Sequence, residues 1–495
     1  MSAQLSADKP TIKILIYTDD PEVSPTEDIS VFFGLGSMLA RLKAHEPAFA
    51  TIKPTLVNRR SVLLQPADNK INDVLKREVD NTGEPFDEIW FFGIQQANTE
   101  KPSQAGVPGG PDSELDEDEV KALTEWMDAE ISVGGGVLMT GDHSSALPPK
   151  RVFNADAPCK DNSADATLLG LGRAIGRCVP RAGMLRKWEG LPTSNSNESN
   201  NTIVGAAGLQ SDPRPQVLRL EKVDANGDPD PNGDHHPLFF YGEDQFIQVF
   251  PDHAHEGELI IPQDIDFNDN VWRKIKPHAV AFSTNNRNNE SLNAIATYNG
   301  DRASLGRIVA DSTWHHYMNL NLLGFPHPAP AGSDSDQIGQ FYANLAVWLA
   351  PLKKRQQMAQ SLYWKLARFT YLVEPKTDAA SLGQTASSIL SRVASRCEIH
   401  ELLNVFAPEE HIALNAARAE LGISPQTTHA MALGNVLTSY HDAMTRAEMA
   451  DDPNEVAPME PATLINAAFT TTLETQKNTL QSTLDLMGGA GNPKA

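Results

Sequence analysis

The sequence predicts an α/β protein, a doubly wound and mostly parallel sheet followed by an all-α helical bundle. Three observations carry this. Continuous apolar runs, TIKILIYT at 11–18, FDEIWFFGI at 86–94 and GGGVLMT at 134–140, suit strands buried on both faces. Stretches with helical spacing lie between these runs, which is the alternation of a parallel sheet. Beyond Pro351 the strand signal ends and only helical patterns follow.

Taken in order, TIKILIYT is the first strand and ends in Asp19-Asp20-Pro21. Residues 29–43 space Phe32, Leu35, Leu39 and Leu42 as one helical face, the first crossover. FDEIWFFGI is the second buried strand. Residues 114–130 open acidic, carry Leu115, Leu123 and Trp126, and predict a helix whose first turn complements the helix dipole. GGGVLMT is the third strand. From about 148 to 234 Asn, Ser, Pro and Gly crowd the chain, and a loop-rich insertion is expected. Short strands are expected at 245–250 and 279–283, and a hairpin of 294–298 with 307–310 around Asn299-Gly300. A helix at 341–349 closes the domain. Helical patterns then recur at 357–372, 379–396, 408–421, 427–450 and 461–487. The expected organisation is an α/β domain over 1–352 and a helical domain over 353–495.

Composition bounds the partners. The formal net charge of −23 disfavours phosphate backbones and anionic membranes, so neither nucleic acid nor membrane is an expected partner. The start of the chain lacks the basic and apolar segments of a secretory leader, and no apolar run reaches membrane-spanning length. The three cysteines, Cys159, Cys178 and Cys397, are widely spaced and odd in number, which argues against a disulfide framework. A cytoplasmic location is the expectation.

Ligands of open α/β sheets bind outside the carboxyl ends of the strands. Those ends read Asp19 and Asp20, then Gln95 and Gln96, then Asp142 and His143, then Asp311, Ser312, His315 and His316. The same residue types also cap helices, so each has a structural reading beside the functional one. Asp252-His253-Ala254-His255-Glu256 is the densest ligand-type cluster. In an extended segment His253 and His255 share a face, and with Glu256 they suit zinc or another divalent transition metal. The alternative is a solvated polar loop. Asp228 to Gly233 matches half of a calcium loop without its closing Glu, and reads as a turn. Gly34-x-Gly36 and Gly170-x-Gly172 lack the context of a dinucleotide fingerprint, so no nucleotide cofactor is expected.

Four segments together resemble one family: the first strand with its Asp-rich exit, FDEIWFFGI, the helix followed by GGGVLMTG, and the late pair HHPLFF and GRIVADSTWHH. Their order is similar to the trehalose-utilisation (ThuA-like) branch of the class I glutamine-amidotransferase-like superfamily, a flavodoxin-like fold. Gly134-Gly135-Gly136, His236-Pro237-Leu238, the 252–256 stretch and Ser312-Thr313-Trp314-His315 carry the likeness, with Trp348 in the closing helix. It covers roughly residues 11–350 and leaves the helical region outside. The turn after GGGVLMT holds Gly141-Asp142-His143 and no cysteine, so glutamine hydrolysis by a thiolate is not expected.

Two functions follow as expectations. In the first, an enzyme binds a small polar substrate, sugar-like by the resemblance, and performs hydrolysis or another proton transfer. The resemblance selects His315 over His316 as the proton-transferring residue. Asp142 or Asp20 would orient the substrate or a metal, with Asp19, Gln95, His143, Asp311 and Ser312 lining the site. In the second, the domain is a non-catalytic binding or scaffolding module, and the helices mediate homo-oligomer or partner contacts. The metal reading has its own check. Wild-type protein purified without chelator should carry near-stoichiometric zinc or another transition metal by mass spectrometry. His253→Ala with His255→Ala should lose it, and metal-free wild type would exclude it.

Overall fold

The computed structural model describes residues 9–18, 26–31, 33–59, 69–92, 117–140, 185–187, 258–260, 277–284, 291–323, 325, 328–367, 378–390 and 430–439. It also describes most of 215–251 and scattered positions between 399 and 482. Contacts divide the chain into two compact units, one of Thr11–Pro47 with Thr51–Lys354, the other gathering the chain from Arg355 onward.

The first unit is α/β. Its eight-stranded sheet runs β2 (Thr51–Asn58), β1 (Thr11–Thr18), β3 (Glu88–Phe92), β4 (Gly136–Thr140), β8 (Ile308–Asp311), β7 (Ser291–Tyr298), β6 (His278–Thr284) and β5 (Arg219–Leu220). The first five strands in that row are parallel. The last three add antiparallel. The β7–β8 pairing sets Tyr298 opposite Ile308 across the expected Asn299-Gly300 connection.

Helices cover both faces. α2 (Ile71–Thr82) and α3 (Glu117–Met127) bury Val74, Leu75, Leu123 and Trp126 against Leu15, Tyr17, Phe91 and Met139. On the other face lie α1 (Gly36–Ala44) and α5 (Asp334–Leu349), which pack on each other. A short α4 (Asn319–Leu322) precedes α5, and α6 (Leu352–Ala367) and α7 (Ala379–Leu390) follow it. None of the described helices is long and apolar enough to cross a membrane.

The run at 245–250 does not form one strand. Gln245–Phe246 pairs with Phe240–Tyr241, and Val249–Pro251 with Pro215–Val217, because Ile247 N–H turns to Phe239 O and Gln248 O accepts from Leu218. The first crossover helix starts at Gly36 rather than near 29, where Asp28 and Ser30 close a turn on each other. Asp228, in the half calcium loop, pairs with His278 Nε2 at 3.0 Å.

Gly135, just before β4, and Gly136, its first residue, have a packing reason. A Cβ on Gly135 would lie 2.0 Å from the Trp126 ring, and one on Gly136 would lie 2.0 Å from Leu349 O. Only bare backbone lets the sheet reach both α3 and the end of α5 there.

Glu88 sits at the amino end of β3 with no exposure, on the side of α1 and α5. Its Oε2 accepts from Trp90 Nε1 at 2.8 Å, and Oε1 has no partner. Burial, with the charge of Asp87 beside it, pushes the carboxyl well above the carboxylate range. A raised folded value means that the group's contribution is fully present below its unfolded value of about 4.3 and is lost as pH rises through the folded value. Glu88→Gln should therefore melt higher than wild type at pH 7. The gap should close towards pH 4, with a slope of at most about 1.4 kcal/mol per pH unit, measured by urea unfolding across pH.

Candidate functional site

The carboxyl ends of the parallel strands fall in one row. Register sets Asn58 and Phe92 on either side of Thr18, and Thr140 opposite Asp311. Side chains alternate across a sheet. Tyr17, Phe91, Met139 and Ala310 belong to the core under α2 and α3. Thr18, Phe92, Thr140 and Asp311 therefore share the face of α1 and α5.

Asp311 is the centre of the described polar groups, and its side chain has no exposure. Its Oδ2 accepts from His316 Nδ1 at 2.8 Å and from the Tyr317 hydroxyl at 3.1 Å. Its Oδ1 accepts from Thr313 N–H at 3.2 Å. Burial, then the charge of Asp311, pushes the Tyr317 phenol well above its ordinary value, so it stays a donor. The Tyr317 ring meets Phe92 edge-on at 5.3 Å and stacks on Tyr342 at 5.5 Å. Tyr342, on α5, donates its hydroxyl to His316 O at 2.6 Å. Strand β3 and helix α5 thus grip the Asp311–His316 pair from two sides. The carboxylate contact at Nδ1 fixes the orientation of the His316 ring.

His315 is placed differently. Trp314 Nε1 donates to His315 Nε2 at 3.1 Å, which fixes that nitrogen as unprotonated. Nδ1 then carries the proton and faces Asn321 Oδ1 at 2.9 Å. The ring is 2% exposed and engaged at both nitrogens by an indole and an amide. The carboxylate-linked imidazole is His316. Ser312 is buried and its N–H donates to Ala294 O at 2.8 Å.

Asn319 joins this segment to α1. Its Oδ1 accepts from Ser37 N–H at 2.7 Å, and its Nδ2 donates to Val31 O at 2.7 Å and Asp28 O at 3.1 Å. His236 meets the Trp348 ring edge-on at 5.0 Å. Burial, reinforced by the nearby Arg307, lowers its value to about 3, so it is neutral at pH 7 and its Nδ1 accepts from Leu238 N–H at 3.3 Å.

Asp19, Asp20, Gln95, Asp142, His143, His253, His255 and Glu256 lie outside the described residues. Among the described residues, no group of three or more His, Cys, Asp or Glu is placed to hold a metal ion. Tyr317, Asn319, Asn321 and Thr18 join the functional candidates through geometry. The run of polar residues after the apolar strand that ends at Asp311 is the sequence signal for Tyr317, Asn319 and Asn321, and Thr18 has none. No protein-family model, curated protein or solved structure matches this chain.

A buried carboxylate that loses its charge leaves a proton donor without its acceptor. Asp311→Asn should destabilise the first unit by about 3 kcal/mol in urea unfolding, with retained α/β circular dichroism below the transition.

Proposed function

We propose that the first unit is a flavodoxin-like, doubly wound domain of the class I glutamine-amidotransferase-like type, and that it is a proton-transfer enzyme. The row β2-β1-β3-β4-β8, with its winding reversed between β1 and β3, supports the first part. The buried Asp311–His316 pair carries the second. Asp311 orients the His316 imidazole through Nδ1, the arrangement by which a carboxylate positions a general acid or base. Tyr317 and Thr313 fix the carboxylate, and His315 keeps the turn in place through Trp314 and Asn321.

The reaction class is hydrolysis or a related proton transfer on a small polar substrate. Its sugar-like nature comes from the ThuA-like resemblance. Zinc or another divalent metal at His253, His255 and Glu256 belongs to the same proposal, as do Asp20 and Asp142 as substrate- or metal-orienting groups. The chain beyond 352 is proposed to be a helical bundle for assembly, in a cytoplasmic protein.

One observation favours a second reading. Asp311, His315, His316 and Tyr317 are all at most 2% exposed; His316 and Tyr317 bond to Asp311, and His315 bonds to Trp314 and Asn321. A sealed polar cluster of this kind also suits a non-catalytic binding or scaffolding module, where it specifies one packing.

Turnover separates the two. Wild type should hydrolyse at least one member of a panel of chromogenic glycosides and esters, and His316→Asn should lower kcat/KM by at least about a hundredfold. His316→Gln, with an unfolding midpoint near wild type, controls for folding. A wild type silent across the panel, or a His316→Asn variant as active as wild type, would leave the binding module as the function.

A further inference from the structure

Thr18 ends β1 at the place where the sheet's winding reverses, with β2 on one side and β3 on the other. It has no exposure, and its Oγ1 has no hydrogen-bond partner among the described residues. A buried hydroxyl without a partner forfeits the hydrogen bonds it makes with water, and such groups in a folded protein need a reason. The other hydroxyl in the row shows what satisfaction looks like, since Thr140 Oγ1 donates to Phe91 O at 2.9 Å. Thr18 has the same strand geometry and the same face, yet its backbone O is taken by Arg59 N–H at 2.8 Å and its hydroxyl by none of the described residues.

We infer that the Thr18 hydroxyl is a ligand contact, binding a neutral hydroxylated small molecule at the carboxyl end of β1, beside β3. Open α/β sheets bind ligands at this reversal. The choice of a neutral ligand follows from the charges of the described residues around the row. Asp311, in line with Thr18, is a buried carboxylate and repels anions. Arg59 closes its guanidinium on Glu119, with Nε to Oε1 at 3.1 Å. Arg41, on α1, directs its terminal nitrogens to Ser37, Ser335 and Phe325 O. A ligand hydroxyl can both donate to and accept from Thr18, as a hydroxyl has one donor and two lone pairs. Thr18 and Asp311 stand three interstrand spacings apart, roughly 14 Å, so one contact anchors while the other transfers protons. The inference deepens the reading of this sheet end as a small-molecule site, and it rests on that reading.

The test measures melting of wild type, Thr18→Val, Thr18→Ser and His316→Asn with glucose, maltose, myo-inositol and glycerol. Valine keeps the shape and removes the hydroxyl, so Thr18→Val without ligand should melt at or above wild type. At least one probe should raise wild type and Thr18→Ser more than Thr18→Val, corresponding to about tenfold weaker binding in the valine variant. Excluded-solute stabilisation acts alike on all variants and cancels in that difference. Equal shifts in wild type and Thr18→Val for every probe would overturn the inference. So would a Thr18→Val protein that melts well below wild type without ligand, because the hydroxyl would then have a partner in the protein. His316→Asn separates this from the catalytic reading. A Thr18-dependent shift that persists in His316→Asn, in a protein without turnover, leaves the ligand contact standing and removes the enzyme.

Discussion

The buried carboxylate of Asp311 is the constraint on which the carboxyl end of the sheet depends. An ionised group taken out of water loses several kcal/mol of solvation unless nearby donors replace it. The replacements come from the next six residues, as Thr313 N–H, His316 Nδ1 and the Tyr317 hydroxyl all turn back onto it. That requirement dictates the path of the chain after β8. It also aims Tyr317 at Phe92 and Tyr342, and leaves Asn319 where it can bind the entrance of α1. One local electrostatic demand therefore sets the placement of two helices and the ring of β3.

The amino end of the sheet is governed by close packing and, Glu88 aside, by paired charge. Bare glycine backbone at 135 and 136 admits Trp126 and the end of α5. Arg307 lies over the Trp348 ring at 4.8 Å, pairs with Asp301 at 2.8 Å and donates to Trp348 O at 3.2 Å. Asp87 accepts from Lys13 N–H at 2.8 Å and faces Lys354 Nζ at 3.4 Å. These contacts fasten elements together and leave their polar atoms engaged. Glu88 Oε1, at the amino end of β3, also lacks a partner among the described residues, so what singles out the carboxyl end is the imidazole that Asp311 orients together with Thr18 at the reversal of the sheet.

Much of the sheet was legible because buried parallel strands have nowhere to put polar residues. TIKILIYT, the core of FDEIWFFGI and GVLMT each become a strand, and the Asn-Gly signal lies in the connection between β7 and β8. β2 was not legible. TIKPTLVN is an edge strand, largely half-buried, and Lys53 with Pro54 breaks the apolar run that marks its neighbours. α2 was missed for a related reason, since Ile71, Val74 and Leu75 are its only buried residues and the rest of the helix is polar. The split of 245–250 turns on where single backbone groups find partners, which residue types do not encode.

The site shows the limit more sharply. Residue types after β8 announce a polar strand end, and Asp311 and Ser312 are recognisable there. They do not distinguish His315 from His316, because adjacent side chains in a turn diverge and the backbone decides which faces the carboxylate. The decision comes from Trp314 and Asn321, which take the two nitrogens of His315 and leave His316 to Asp311. Thr18 is the opposite case. A threonine closing a strand is ordinary as sequence, where β-branched residues belong. Its meaning arises only from a missing bond, and a missing bond belongs to a fold and never to a residue. Functional positions of this kind are found by asking which buried polar groups lack partners at the sheet end where ligands bind, a question that requires the whole register of the sheet.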